Sequence, residues 1–175
     1  MNDQHQQPQN ISIRDFRLPR YDEIPNVGLY LEQTAKYINE YLLPIQDGGL
    51  TGSMISNYVK KKLVANPVKK QYDREQIAYL LFIAVVKSVL SLDNIGALIQ
   101  IQKERYDSAT AYNYFCDALE QGIHAVFALS DGLPALDPNA NIGKVLLRNA
   151  MVAVAHKIYL DKSFAALESG EITAE

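Results

Sequence analysis

Apolar residues recur every three or four positions in six segments of the chain, and that period is typical of amphipathic α-helices. Polar residues able to cap a helix stand before most of these segments, and proline, glycine or mixed polar stretches separate them. The pattern therefore predicts a mainly α-helical protein. The predicted helices cover residues 26–43, 51–61, 108–129 and 140–160, and two more begin at Asp73 and Ser91.

The short segment 51–61 has two chemically different sides. Thr51 is a suitable N-cap, and its apolar side holds Met54, Ile55, Tyr58 and Val59. The other side carries short polar and cationic groups, which suit base edges and phosphates. We therefore predict a recognition helix in this segment. Its polar side consists of Ser53, Ser56, Asn57, Lys60 and Lys61.

A basic connection follows this helix. Asn66-Pro67 breaks the chain, and Val68 and Tyr72 bracket two lysines as in a short strand or ribbon. We predict a basic wing over residues 66–72. The next helix starts at Asp73 with Gln76 in the position of a capping box, and its predicted core face is Ile77, Leu80, Leu81, Ala84 and Val85.

Charge separates this region from the rest of the chain. The whole sequence carries a net charge of −3, yet basic residues outnumber acidic ones between residues 50 and 101. A basic patch in an otherwise acidic protein is typical of nucleic-acid binding. A solvated lysine-rich helix end explains the run at 60–62 equally well by itself. The candidate DNA-binding residues are Ser53, Ser56, Asn57, Lys60, Lys61, Lys62, Lys69, Lys70 and Arg74.

The ends of the chain give weaker patterns. Residues 1–10 are polar and glutamine-rich, which predicts a disordered tail, and 169–175 read as a frayed end. Residues 11–25 predict an extended arm with a turn. Arg14, Arg17 and Arg20 can contact DNA there. We favour instead a solvated segment in which they pair with Asp15, Asp22 and Glu23.

Two long helices after a polar joint at residues 103–107 predict a C-terminal helical hairpin over 103–168. One has a stripe of Tyr112, Phe115, Leu119, Ile123 and Val126; the other has Val145, Leu146, Val152 and Tyr159. One hairpin cannot hide this much apolar surface. We therefore predict a homodimer, with residues 11–102 as the DNA-binding domain. A compact monomer around a small-molecule effector is the alternative.

Signals for chemistry are scarce. No apolar run spans a membrane, no leader pattern is present, and one cysteine fits a reducing cytoplasm. The sequence holds no phosphate loop, nucleophile elbow or metal-ligand pattern. We expect His124 and His156 to be structural and Cys116 to be a buried, inert thiol. The prediction is a cytoplasmic protein without enzymatic activity, metal or cofactor, and an enzyme acting between the C-terminal helices is the weakest alternative.

The order of helix, basic wing and two further helices resembles the winged helix-turn-helix of the MerR regulators. Tyr58 matches the tyrosine of that family's recognition helix, Lys70 the wing arginine and Tyr72 the tyrosine before the next helix. Further matches are Leu63, Val64, Ser91, Leu92 and Ile95. Two positions depart: Ser56 replaces a phosphate-binding arginine, and Lys62 replaces a glycine. Lys60, Lys61 and Lys62 can supply the missing charge.

A broader resemblance joins three segments: LPRYDEIPNVGLY at 18–30, SMISNYVKKKLV at 53–64 and KKQYDREQIAYL at 69–80. These segments are similar to the domain of unknown function family DUF1836, found mainly in Gram-positive bacteria and regarded as MerR-like. The resemblance implies a DNA-binding transcriptional regulator that binds double-stranded DNA. A protein-interaction adaptor that keeps the fold without binding DNA is the alternative.

Overall fold

The computed structural model describes residues 13–173 as a mainly helical protein. The first ten residues, for which the sequence predicts a disordered tail, lie outside the described part. Single 3-10 turns at Ile13–Asp15 and Tyr21–Glu23 precede strand β1, Leu29–Tyr30. The remaining elements are α1 Leu31–Leu42, α2 Gly52–Lys60, β2 Gln71–Tyr72, α3 Arg74–Val86, α4 Leu92–Lys103, α5 Ser108–Val126 and α6 Ile142–Ser169.

Helix α3 is the centre of the molecule. Every residue from Gln76 to Val86 is buried except Tyr79, so the helix is apolar on all sides and not on one face. It packs against α1, α5 and α6. The predicted core face is confirmed, and burial extends beyond it because neighbouring helices surround α3. A helix that is hydrophobic all round is expected to be central.

The first predicted helix starts later than its pattern suggested. Asn26 does not cap it; α1 begins at Leu31, five residues on. Leu29 pairs with Tyr72 and Tyr30 with Gln71 in a two-stranded antiparallel sheet. These residues are extended because their backbone groups are bonded to β2. The predicted N-cap positions of α2, α3 and α4 are confirmed: the amides of Met54, Gln76 and Asn94 donate to the side chains of Thr51, Asp73 and Ser91.

The N-terminal segment, residues 13–25, is part of the core and is not a loose extended arm. Phe16, Leu18 and Ile24 are buried. The Tyr112 hydroxyl donates to Pro19 O at 2.8 Å, and its burial raises the pKa of Tyr112. The segment therefore packs against α5 through both apolar and polar contacts.

Of the predicted ion pairs in this segment, one is confirmed and Arg20 has other partners. Arg17 pairs with Glu23 at 2.9 Å, as predicted. Arg20 instead bonds Glu120 at 2.6 Å and Asp117 at 2.8 Å, both on α5. The hydrogen bond from the Arg20 amide is the main reason that the pKa of Glu23 is lowered. These contacts hold the segment against the C-terminal hairpin.

Helices α5 and α6 form the predicted hairpin, but the contact face of α6 was predicted wrongly. The stripe on α5 is buried from Tyr112 to Ile123. On α6, Leu146 and Tyr159 are exposed. The buried face is offset from the predicted one and consists of Leu147, Ala150, Met151, Val154, Ala155 and Ile158.

The bounds of the hairpin helices also differ from the prediction. The sequence pattern predicts Ser108 as the N-cap of this helix, but Asp107 caps α5, which ends at Val126. The Asp107 side chain accepts from the Thr110 amide at 2.7 Å. Helix α6 continues to Ser169, nine residues beyond its predicted end, where Gly170 adopts a left-handed conformation. The hydrophobic core runs continuously from α3 to α5, across the boundary predicted near residue 102.

Candidate nucleic-acid interface

Helix α2 presents a continuous polar face to solvent. Ile55 and Tyr58 anchor its other side in the core. Ser53, Ser56, Asn57 and Lys60 stand at positions i, i+3, i+4 and i+7 of the helix, so they share one face, and all four are exposed. The nine residues of α2 give a length of about 13 Å. This rod is short enough to lie in one major groove.

A tight hairpin turn at residues 68–71 supplies the second part of the surface. The Val68 amide donates to Gln71 O at 3.1 Å, and the Gln71 amide donates to Val68 O at 2.9 Å. Lys69 and Lys70 are the two central residues of the turn, with φ of 50° and 64°. Two positive φ angles are what a type I′ turn requires. The turn holds both lysines at the tip of the hairpin.

Lys62 lies at the end of α2 in the same left-handed region, with φ of 60°. The Leu63 amide donates to Tyr58 O and the Lys62 amide to Val59 O, which is the bonding of a Schellman motif. Glycine usually occupies this position because it has no Cβ. The replacement of a glycine by Lys62, noted in the resemblance to MerR regulators, therefore falls where a glycine would suit the backbone best.

Gln76 joins the start of α3 to the chain that leads into the hairpin turn. Its Oε1 accepts from the Asp73 amide at 2.8 Å, as the predicted capping box requires. Its Nε2 donates to Ala65 O at 2.9 Å and to Asn66 O at 3.0 Å. The side chain is only 5% exposed. One buried amide thus positions the hairpin relative to the core.

Two cations of the basic region, residues 50–101, lie apart from the surface formed by α2 and the hairpin turn. Arg74 donates to Ile24 O at 2.9 Å, and its guanidinium lies 5.8 Å from the centre of the Tyr21 ring. Lys87 points its Nζ at the Met54 sulfur, 4.0 Å away, and burial lowers the pKa of its ammonium group. Both side chains are partly buried. The structure does not bring Arg74 together with the other candidate residues.

The remaining cations form a group that we call the basic cluster. All five are exposed. Within residues 13–173, none of their side chains takes part in a hydrogen bond or an ion pair. Their charges are therefore available to an external anion. The basic cluster consists of Lys60, Lys61, Lys62, Lys69 and Lys70.

Two exposed side chains with large apolar parts lie beside the hairpin turn, and neither is among the predicted DNA-binding residues. Val68 is 71% exposed and Tyr30 is 53% exposed. Both residues face Gln71 across the ladder, so they lie on the same face of the small sheet. The helical pattern concealed Tyr30 because it was assigned to the first turn of α1.

The cysteine and the two histidines of the C-terminal helices lie in different environments. Cys116 is buried, as expected. Burial raises the pKa of its thiol to about 12, so the thiol is protonated at neutral pH. His124 Nε2 lies 3.2 Å from Arg14 O, and His156 is exposed. Across residues 13–173, no three His, Cys, Asp or Glu side chains assemble as metal ligands. In the same part of the chain, no helix has both the length and the apolar character needed to cross a membrane.

A model of one protein family matches residues 19–115, which is more than half of the chain. The matched region starts in the N-terminal segment, contains α2, the hairpin turn and α3, and ends within α5. Searches of the curated proteins and of the solved structures found no match. The chain therefore belongs to the family described as domain of unknown function DUF1836.

Proposed function

We propose that this protein is a DNA-binding transcriptional regulator that holds double-stranded DNA with α2 and the hairpin turn. One observation carries the proposal: the side chains on the exposed polar face of α2 and in the basic cluster have no hydrogen-bond or ion-pair partner among residues 13–173. The face offers the hydroxyls of Ser53 and Ser56 and the amide of Asn57 to base edges. An asparagine amide can donate to and accept from adenine at once, so Asn57 is the best candidate for base reading.

Backbone strain supports the same proposal. In the described part of the chain, four residues other than glycine have a positive φ, and three of them are Lys62, Lys69 and Lys70. A side chain in the left-handed region costs about 1–2 kcal/mol relative to the usual conformations. Such strain concentrates at functional sites. Glycine or asparagine would suit these three positions better than lysine does. A role for the lysine charges in binding phosphate would explain why lysine is present there.

The order of elements supports a MerR-like winged helix-turn-helix. Helix α2, the hairpin turn and helices α3 and α4 follow one another in the same order as the elements of that resemblance. In this arrangement α2 is the recognition helix and the hairpin is the wing. The lysines then contact phosphates on either side of the groove that α2 enters, while Arg74 contributes to the interior by fastening the N-terminal segment.

Salt-dependent binding to duplex DNA tests the proposal. We expect binding of the full chain to weaken with rising salt, because each lysine contact with a phosphate releases counterions. Each lost contact should lower the slope of log affinity against log salt by about 0.9. Fluorescence anisotropy would measure this for a variant with alanine at Lys60, Lys61, Lys69 and Lys70.

A matched variant controls for the loss of four positive charges. It carries alanine at four cations on other elements: Lys103 on α4, Arg105 just after it, and Lys157 and Lys162 on α6. We expect that variant to retain most of the salt slope. Equal slopes for the two variants, or binding by the wild-type chain that ignores salt, would contradict a DNA site on the basic cluster.

A protein-interaction adaptor is the second candidate, and exposed apolar groups favour it. Val68 and Tyr30 lie beside the hairpin turn and would be covered by a protein partner. Ser56 also stands where the resemblance to MerR regulators places a phosphate-binding arginine. Absence of salt-dependent DNA binding by the wild-type chain would turn the assignment towards this candidate.

A homodimer completes the proposed regulator. One side of α6, distinct from its buried face, bears an apolar stripe at intervals of three, four or seven residues. Its larger members are strongly exposed, among them Phe164 at 61% and Leu160 at 50%. A second copy covers this stripe in the proposed dimer, since symmetric pairs match palindromic sites. The apolar stripe consists of Ile142, Leu146, Ala153, Leu160, Phe164 and Leu167.

A further inference from the structure

Two adjoining cavities lie where α3, α4, α5 and α6 meet. One has a volume of about 50 Å³ and the other of about 70 Å³. Gln102, Tyr106 and Ala111 line both of them, so the two cavities adjoin at these side chains. We call the pair of cavities the slot, and its two ends differ in chemistry.

The first end of the slot is apolar and aromatic. Phe82 and Phe115 meet edge to face there, with ring centres 5.1 Å apart, and Ile99 and Leu147 complete the wall. An engineered cavity of about 150 Å³ lined by apolar groups binds benzene. A space of about 50 Å³ therefore accepts a smaller apolar group, such as the branched end of a short aliphatic chain or one edge of an aromatic ring.

The second end of the slot carries hydrogen-bond donors. Lys144 Nζ lies 5.3 Å from the centre of the Tyr114 ring and 5.7 Å from that of Tyr106. Among residues 13–173 no carboxylate pairs with Lys144. Its cation is held only by aromatic faces, so a stronger anionic partner can bind it.

An unsatisfied donor stands in the wall between the two ends. Gln102 Nε2 is buried and has no acceptor among the described residues. A buried donor without a partner costs free energy, and native structures seldom leave one unexplained. An oxygen acceptor bound in the slot satisfies it after a small rotation of the side chain. A neutral amide group and an ammonium group thus favour the same kind of ligand head.

We propose that this slot binds a small carboxylic acid, with the carboxylate at Lys144 and Gln102 and a short apolar body against Phe82 and Phe115. The body is a branched aliphatic group or a single aromatic ring. The site is separate from the basic cluster, and its occupancy is measured without DNA. Because the slot touches α3, whose Gln76 positions the hairpin, a bound acid also fits the role of the effector of the proposed regulator.

Titration of the full chain with 3-methylbutanoate and benzoate, followed by saturation-transfer NMR, tests the site. Because these acids have few heavy atoms and so few contacts, we expect dissociation constants of about 1 mM. The neutral analogues 3-methylbutanamide and benzamide should bind about tenfold more weakly, because they lose the charge-assisted contact with Lys144. Equal binding of acids and amides would overturn the proposal. So would the absence of binding by either acid at about 50 mM, which is 50-fold above the expected dissociation constant of about 1 mM.

Two variants locate the site. Ala111→Phe fills the shared wall of the slot and should abolish binding of all four probes, whereas Ala97→Phe, on the exposed side of α4, should change none of them. Lys144→Met removes the ammonium group but keeps an unbranched apolar side chain, and it should weaken the acids about tenfold while leaving the amides unchanged. The lysine variant decides the matter if Ala111→Phe fails to fold, and unchanged acid binding to it would place the site elsewhere.

Discussion

At the scale of single residues, conformation and chemistry conflict at the tip of the hairpin. Lys69 and Lys70 occupy the two central positions of a turn whose positive φ angles favour Asn-Gly. A local conflict of this kind is expected where function outweighs stability. If the turn serves DNA binding, relieving the strain and removing the charge must change stability and affinity in opposite directions.

We therefore predict that the double variant Lys69→Asn, Lys70→Gly is more stable but binds DNA less well. The free energy of unfolding should rise by about 1 kcal/mol, since glycine and asparagine adopt the left-handed region at lower cost. The salt slope of DNA binding should fall by about 1.8, or 0.9 for each lost phosphate contact. Denaturant unfolding and fluorescence anisotropy would measure the two effects.

The matched control keeps both charges and the strain. A variant with arginine at positions 69 and 70 should retain the stability and the salt slope of the wild-type chain. A less stable Asn-Gly variant would show that the backbone at these two positions is not strained. An Asn-Gly variant with undiminished affinity would show that the hairpin tip does not contact DNA.

At the scale of secondary-structure elements, buried hydrogen bonds decide where the hairpin turn at residues 68–71 lies relative to α3. The small sheet has only two residues in each strand, so its own hydrogen bonds cannot fix it firmly. Gln76 supplies the link, because its side chain accepts from Asp73 and donates to two backbone carbonyls before the turn. The same residue is both a helix cap and an anchor for the candidate wing.

We predict that Gln76→Glu destabilises the protein by about 2–3 kcal/mol at neutral pH, because a buried carboxylate replaces two donors facing carbonyl oxygens. The acceptor for the Asp73 amide is retained. Burial and the nearby carbonyls raise the pKa of the new carboxyl in the folded state. The loss of stability relative to wild type should therefore shrink as the pH falls through that raised pKa, and denaturant unfolding at several pH values would show this.

Gln33→Glu is the matched control. Gln33 has the same position in the first turn of α1 and accepts from the Tyr30 amide at 2.9 Å, but it is exposed and, within residues 13–173, its Nε2 donates no hydrogen bond. A glutamate there should change stability by less than about 0.5 kcal/mol. Equal effects of the two substitutions would mean that the donors of Gln76 do not hold the chain at residues 65–66.

At the scale of the whole molecule, the hairpin of α5 and α6 joins the two ends of the sequence. Arg20, near the N-terminus, bonds Asp117 and Glu120 on α5, and α3 packs on both helices of the hairpin. Helix α6 has 28 residues and thus a length of about 42 Å. Its apolar stripe lies outside the face that is buried in the helical hairpin and is exposed, so the proposed homodimer would cover it.

We predict that Phe164→Glu dissociates the homodimer. Two charged groups, one from each copy, would enter an apolar interface, and the dimer should weaken by about a hundredfold or more. Sedimentation equilibrium would measure the change. Val27→Glu introduces the same charge at another exposed apolar residue and should leave the mass unchanged. A wild-type chain that is monomeric at micromolar concentration, or a Phe164→Glu variant that remains a dimer, would rule out this interface.

The sequence by itself determined the presence of the helices and the capping residues of α2, α3 and α4. Thr51, Asp73 and Ser91 accept from amides within the following turn, so their effect is local and legible from spacing alone. The exposed face of α2 also followed from its period. For the same reason the candidate residues on α2 were placed correctly on one surface, although whether they bind DNA stays a prediction.

Only the tertiary structure decided the pairings between distant residues. Residues 29 and 30 became a strand because Gln71 and Tyr72 lie beside them, and no pattern of three or four positions contains that partner. Arg20 bonds residues about a hundred positions away, and Arg74 turns inward to Ile24 instead of outward. Helix α6 is apolar on more than one side, so its sequence allowed several buried faces. Packing against α5 selected one face and left the apolar stripe exposed. The surfaces of both helices decide which face fits: Gly122 of α5, which has no side chain, lies close against Met151 and Ala155 of α6.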